Sequence, residues 1–321
     1  MKRLLTLVAV AAFAATAPAC AEEWPTRPIH FIVGAGVGGG TDIVTRIIAA
    51  PLGELLGQPI VVENKQGAGN IIAASSLVKA AKDGYTAYMM NNSHGVAATL
   101  FKNLPYDSVN DFAMVSLTGT AGLVLVTSPS FPATDIKGVI AAAKAKPGQY
   151  NFASPGVGTT QHFSGELFRQ MADIDIRHVP YRSTPAAVTG MLANEVQMTF
   201  ELVQPVLGQI GAGSLKAIAV TSAKRDPALP NVPTVIESGL PSFQVTSWYG
   251  LAFPAGTPQP IIDKMNKALH DVLSRENVRK QLIDVGATAA TSTPEELKAH
   301  IVSEIAKWTA VREKAGIPQR E

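Results

Sequence analysis

Two short stretches carry the residue types that could do chemistry, Gly34-Ala-Gly-Val-Gly-Gly-Gly-Thr41 and Ser154-Pro-Gly-Val-Gly-Thr-Thr160. Each follows an apolar run and opens an amphipathic one, so each reads as a strand, a glycine turn and a helix start. Such a junction collects backbone N–H groups that have no acceptor, together with the positive end of a helix dipole, and its chemistry is anion binding. Gly38, Gly39 and Thr41 are the donors expected on the first turn, and Ser154, Gly156, Gly158, Thr159 and Thr160 those on the second. A tight turn over a capped helix is the plainer reading of the first. Asp42 is a weaker candidate, because an acid at a helix start consumes donors itself. Gly34, Gly36 and Gly39 also spell G-x-G-x-x-G, with Glu63 near the place of a ribose-binding acid, but five glycines between 34 and 40 match many patterns by chance.

Further candidates stand at the ends of other apolar runs. Ser93 and His94 follow the third, and His94 could donate to a ligand, cap a helix or lie exposed on the surface. Tyr181 and Arg182 close a later run, where Arg182 could grip a distal carboxylate in bidentate fashion or lie solvated on the surface. Glu201 would repel an anion. It helps only by receiving a hydroxyl or ammonium of the ligand, or by latching two lobes of the protein together. Trp248 and Tyr249 could wall a cleft or be buried in a hinge. His162 is expected to support its loop.

The elements that must position these residues alternate. Strands are expected at Ile29 to Val33, Ile60 to Val62, Thr86 to Met90, Val115 to Leu117, Leu123 to Val126, Tyr150 to Ala153, Arg177 to Val179, Val196 to Phe200, Lys216 to Val220 and Trp248 to Phe253. Helical patterns separate most of them, at Asp42 to Leu56, Asn70 to Ala81, Asp135 to Lys146, Thr160 to Met171, Pro185 to Leu192 and Pro205 to Ala212. This order predicts an α/β fold with parallel sheets covered on both faces, where ligands bind at the carboxyl ends of the strands. Three helical stretches follow Phe253, the last opening with the capping box Thr293-Pro-Glu-Glu296 and burying Leu297, Ile301, Ile305 and Trp308. About 300 residues suit two lobes. Lobe 1 is expected at 22–123 and 247–321 and lobe 2 at 124–246, joined by strand crossings near Thr120 to Val126 and Gln244 to Leu251.

Composition excludes several function classes. Lys2 and Arg3, the apolar run Leu4 to Ala17 and the small residues Ala19-Cys-Ala21 read as a cleaved signal peptide over 1–21 and place the protein in the periplasm. The apolar run is shorter than the ~20 residues needed to span a bilayer, so no stable membrane insertion is expected. Ala-Pro-Ala before Cys20 makes a poor lipidation signal. Removing Lys2 and Arg3 from the 27 basic residues leaves 25 against 25 acidic ones, a balance that argues against nucleic acid. The single cysteine leaves with the leader, and the six histidines show no metal-ligand spacing. No metal and no cofactor are expected, and a dinucleotide pool is not available outside the inner membrane.

Trp24-Pro-Thr-Arg-Pro28, Gly38-Gly-Gly-Thr-Asp42, Gly57-Gln-Pro-Ile-Val-Val-Glu-Asn64, Gly67-Ala-Gly-Asn70, Asp83-Gly-Tyr85, Leu104-Pro-Tyr-Asp107, Gly156-Val-Gly-Thr-Thr-Gln-His162, His178-Val-Pro-Tyr181 and Asp226-Pro-Ala-Leu-Pro-Asn-Val-Pro-Thr234 resemble the substrate-binding proteins of tripartite tricarboxylate transporters, the Bug family. The resemblance runs through nearly the whole mature chain. It implies a fold like the type II periplasmic binding proteins, a monomer that closes on a small organic carboxylate and passes it to inner-membrane transporter subunits, with no catalysis. Two positions depart from the family: glycines replace the prolines usual in the first loop, and Glu201 stands where aspartate is more common. A sensory module with a signalling partner is a second reading. An exported hydrolase using Ser164 and His162 is a third, against which stand the absence of G-x-S-x-G and the spacing of that pair.

Overall fold

The computed structural model describes residues 24–321, so the leader assigned to 1–21 lies outside the described residues. In chain order the elements are β1 (Ile29–Val33), α1 (Gly40–Leu56), β2 (Ile60–Asn64), α2 (Ile71–Val78), β3 (Thr86–Asn91), α3 (Asn92–Leu100) and β4 (Phe112–Thr127). There follow α4 (Ile136–Ala145), β5 (Tyr150–Ser154), α5 (Thr160–Ala172), β6 (Ile176–Pro180), α6 (Thr184–Leu192), β7 (Met198–Leu202), α7 (Val203–Gly211) and β8 (Lys216–Val220). The chain ends with β9 (Thr246–Pro254), α8 (Gln259–Leu273), α9 (Glu276–Asp284) and α10 (Pro294–Ala315).

The strands lie in the order β2-β1-β3-β9-β4-β7-β5-β6, with β8 on the other side of β4. β1 pairs parallel with β2 and β3, and β5 pairs parallel with β6 and β7. The expectation of wholly parallel sheets is corrected at the junction. β9 runs antiparallel to β3 and β4, and β4 runs antiparallel to β7 and β8. The two runs read as separate strands at 115–117 and 123–126 are one strand of 16 residues, whose first part pairs with β9 and whose last part pairs with β7 and β8. β4 and β9 are therefore the crossings between two lobes, each an α/β sheet.

Both faces of each sheet are buried, and strand alternation divides the core accordingly. In the first lobe Phe31 and Val33 pack with Val44, Ile48 and Leu52 of α1, while Ile32 packs with Ala73, Ala74 and Leu77 of α2. In the second, Leu123 and Leu125 face Phe163 and Phe168 of α5, and Val124 and Val126 face Ala187 and Val188 of α6. α10 begins with the capping box expected at Thr293 and Glu296. It then spans both lobes: Leu297 and Ile301 join the first lobe's core, whereas Trp308 and Val311 join the second's, with the Trp308 ring edge-on to Phe163 at 5.5 Å. Covering the first lobe alone, as the sequence suggests, describes only the first part of this helix.

Candidate ligand-binding cleft

The register places the candidate loops together. Asn91 at the end of β3 pairs with Tyr249, Thr120 and Gly122 of β4 pair with Trp248 and Thr246, and Leu123 pairs with Leu202 at the end of β7. The carboxyl ends of the parallel strands in both lobes thus open toward one line at the crossings, where an open α/β sheet binds its ligand.

On the first lobe, α1 starts without a side-chain cap, because its cap residue is Gly39. Among the described residues no acceptor meets the N–H groups of Gly40 and Thr41, so the first turn keeps donors for a ligand. Asp42 lies inside the first turn and is not the cap; its carboxylate takes the N–H of Gly38 at 2.9 Å and holds Arg46 and Asn64. Burial raises its pKa, but Arg46, the Gly38 N–H and Asn64 together outweigh this and hold it below the usual range. Thr41 is buried, and its hydroxyl accepts from Asn91, whose carbonyl in turn accepts from Asn70 and from the Ser93 N–H. Sequence reasoning missed Asn70 and Asn91. Their signal was the asparagine at a strand end and before a helix, where side-chain amides tie loops together.

On the second lobe the loop is built by its own polar groups. Ser154 is fully buried, and its hydroxyl donates to the Gly156 carbonyl at 2.9 Å and lies 2.6 Å from His178 Nε2. The Thr159 hydroxyl donates to the same carbonyl and accepts the His162 N–H as the cap of α5. Gly158, at φ 89°, gives its N–H to His162 Nδ1 at 3.2 Å, a backbone conformation that glycine adopts without strain. His162 therefore supports the loop, as expected. Its ring lies tilted by 30° against that of His178, with 3.9 Å between centroids, and burial, then His178 and Arg320, lower its pKa to about 3. Burial lowers that of His178 to about 4. The Ser154 and Thr159 hydroxyls are thus committed to the loop itself, and the N–H groups of Thr160 and Gln161 are the donors left over.

Other sequence candidates take structural places. His94 is fully buried against Tyr106 and Phe112, with Nε2 2.8 Å from the Ser108 carbonyl; burial lowers its pKa to about 4. It is a core residue and cannot reach a ligand. Trp248 is likewise fully buried, on the α2 and α10 face of β9, which corrects its assignment to the cleft. Tyr249, one residue on and so on the opposite face, borders the cleft instead. Tyr181 turns its hydroxyl onto α6, toward Glu195 at 3.4 Å and close to Gly190, away from the role foreseen for it. Arg182 is exposed and makes no ion pair among the described residues. Glu201 is buried, accepting from Gln161 of α5, Thr184 of α6 and the Leu202 N–H; burial raises its pKa against these three donors. It latches the starts of two helices to β7. The hydrolase reading loses its nucleophile, since the buried Ser164 hydroxyl donates to the Thr160 carbonyl. Glu63, the acid of the dinucleotide reading, is occupied by His30 at 2.6 Å.

Two cavities lie where the lobes meet. The larger, about 280 Å³, is bordered by Gly38, Gly40 and Val44 from the first lobe and by Leu202, Gln204 and Pro205 from the second. The smaller, about 110 Å³, brings Ser93, Val96 and Leu100 against Val157 and Gly158, with Arg320 at its edge. Among the described residues no three His, Cys, Asp or Glu side chains converge as a metal site, and no helix is long and apolar enough to cross a membrane.

Comparison with known proteins gives this architecture a family. The profile described as tripartite tricarboxylate transporter family receptor matches residues 44–317. The protein BugT of Bordetella pertussis is 35% identical over 98% of both chains. Among solved structures, an R. palustris protein with adipate superposes with a TM-score of 0.81 at 31% identity, covering 93% of this chain and 100% of that one. MatC from Rhodopseudomonas palustris with bound malate gives 0.75 at 33%, covering 90% and 99%. With a profile match over most of its length and this breadth of identity, the chain belongs to the tripartite tricarboxylate transporter receptor family, whose members are Bug-type substrate-binding proteins.

Proposed function

We propose that this protein is a periplasmic receptor that captures a small organic carboxylate between its lobes and delivers it to the membrane subunits of a tripartite tricarboxylate-type transporter. The observation that carries this reading is the uncapped first turn of α1, whose free N–H groups border a cavity walled by both lobes. The second lobe has unspent N–H groups of its own at the start of α5, those of Thr160 and Gln161. The relatives bound to adipate and malate support a carboxylate as the ligand class.

The energetics favour several modest donors. Micromolar affinity needs about 8 kcal/mol. A helix start contributes about 0.3 to 1 kcal/mol, and a hydrogen bond to a charged group about 1.5 to 3 kcal/mol. Donors from both lobes are therefore required, which couples binding to closure.

A thermal-shift screen over organic mono- and dicarboxylates tests the reading. A ligand at 100 times its Kd stabilises the folded protein by about 2.7 kcal/mol, which amounts to a rise in Tm on the order of 5 °C. A screen in which no carboxylate raises the midpoint at millimolar concentration removes the receptor function.

A further inference from the structure

The larger cavity has a chemical character of its own. Ile43 and Val44 of α1, Ala121 of β4, Leu202 and Val285 make its wall apolar. No lysine, arginine or histidine borders it, and its one charged neighbour, Asp284, pairs with Lys280 at 2.9 Å. Its polar side chains are those of Tyr249, 4% exposed, and Gln204, an exposed neutral amide. The phenol is directed at the first turn of α1, since a Cβ built on Gly40 would lie 3.3 Å from the Tyr249 hydroxyl. A carboxylate placed beside Gly40 therefore meets a hydroxyl donor, and the body attached to it meets a wall of hydrocarbon interrupted by the Gln204 amide.

We propose that this cavity selects a monocarboxylate with an apolar body, an alkyl or aryl acid, and that Tyr249 is the side chain that donates to its carboxylate. The proposal rests on the receptor reading and narrows it. A second carboxylate carried into the cavity would lose its water without gaining a cation, and would approach Asp284. An apolar body gains from the same walls, because burying hydrocarbon is favourable in proportion to area. The volume, about 280 Å³, is at the small end of the ~300 to 1,000 Å³ usual for ligand sites and suits one ring or a short chain. The adipate and malate relatives take two carboxylates. This chain is expected to discriminate against them.

Isothermal titration of the purified protein with matched acids tests the proposal: hexanoate against adipate, and benzoate against terephthalate. The expected result is a monoacid that binds at least tenfold tighter than its diacid, and a tenfold weakening in Tyr249→Phe at unchanged Tm. A diacid that binds equally or more tightly overturns the narrowing and leaves the receptor reading standing. Unaltered binding in Tyr249→Phe overturns the role of the phenol. A tenfold loss in Arg320→Ala moves the carboxylate to the smaller cavity and overturns the assignment of this one. Silence from both members of both pairs also overturns the proposal, whereas the receptor reading falls only if the wider carboxylate screen is silent too.

Discussion

His162 and His178 show how the second loop depends on the charge state of single side chains. Gly158 can donate to His162 Nδ1 only while that nitrogen carries no proton, and the two rings lie too close, 3.9 Å between centroids, for both to be charged. Both are held neutral, with pKa values near 3 and 4, and His94 is lowered to about 4 in its own apolar surroundings. The unfolded chain takes up these protons near the ordinary value of ~6.5, so it binds more protons than the folded state as the pH falls below that. Stability is therefore complete above about pH 6.5 and declines toward pH 4. Urea unfolding midpoints measured between pH 7.5 and 4.5 should fall steadily below 6.5, and a flat profile across that range would contradict the neutral pair. The carboxylates with lowered values, Asp42, Asp107 and Glu237, act in the same direction but only at more acidic pH. None of this was legible in the sequence beyond His162 as a loop support, because burial and ring contacts arise from residues 16 apart in the chain. Side-chain direction was equally hidden. Trp248 and Tyr249 were both candidates, and only the pairing of β9 shows which of the two adjacent faces meets the cleft.

At the scale of elements, every strand expected from hydrophobic pattern is present, and the glycine-loop junctions fall where their spacing placed them. There are two exceptions. The runs 115–117 and 123–126 were expected as separate strands, yet β4 runs straight through Thr118-Gly-Thr-Ala-Gly122, with register shifts between Met114 and Ser116 and between Leu117 and Gly119. No helical pattern was read over 92–100, where α3 forms nonetheless. At Gly95 the requirement is contact rather than a turn: a Cβ there would lie 3.6 Å from the Glu304 Cβ of α10, so the helices approach closely. A methyl group fits at that distance and a branched side chain does not. Gly95→Ala should keep its stability within about 1 kcal/mol, whereas Gly95→Leu should lose about 1 to 3 kcal/mol by overpacking, read from urea denaturation. Equal stability of the two variants would show that α3 and α10 are not closely packed. The donors of the two junctions divided unequally for a reason that periodicity does not carry. A threonine caps α5 and spends one of its N–H groups, whereas a glycine precedes α1 and spends none.

For the whole molecule, the α/β class and the paired lobes followed from element order, while the antiparallel crossings and the reach of α10 did not. Both depend on contacts between segments far apart in the chain, such as Trp308 against Phe163. Trp308 is fully buried, donates its indole N–H to Glu304 at 2.9 Å and lies beneath Lys307. Trp308→Ala should cost about 3 to 5 kcal/mol, since truncating a large buried aromatic leaves a cavity. The urea midpoint reports that loss, and a change below 1 kcal/mol would mean that α10 is not fastened to the second lobe. A helix riveted at one end to each of two bodies couples them, and any change of angle between those bodies has to flex α10 or slide it across one of its two seats.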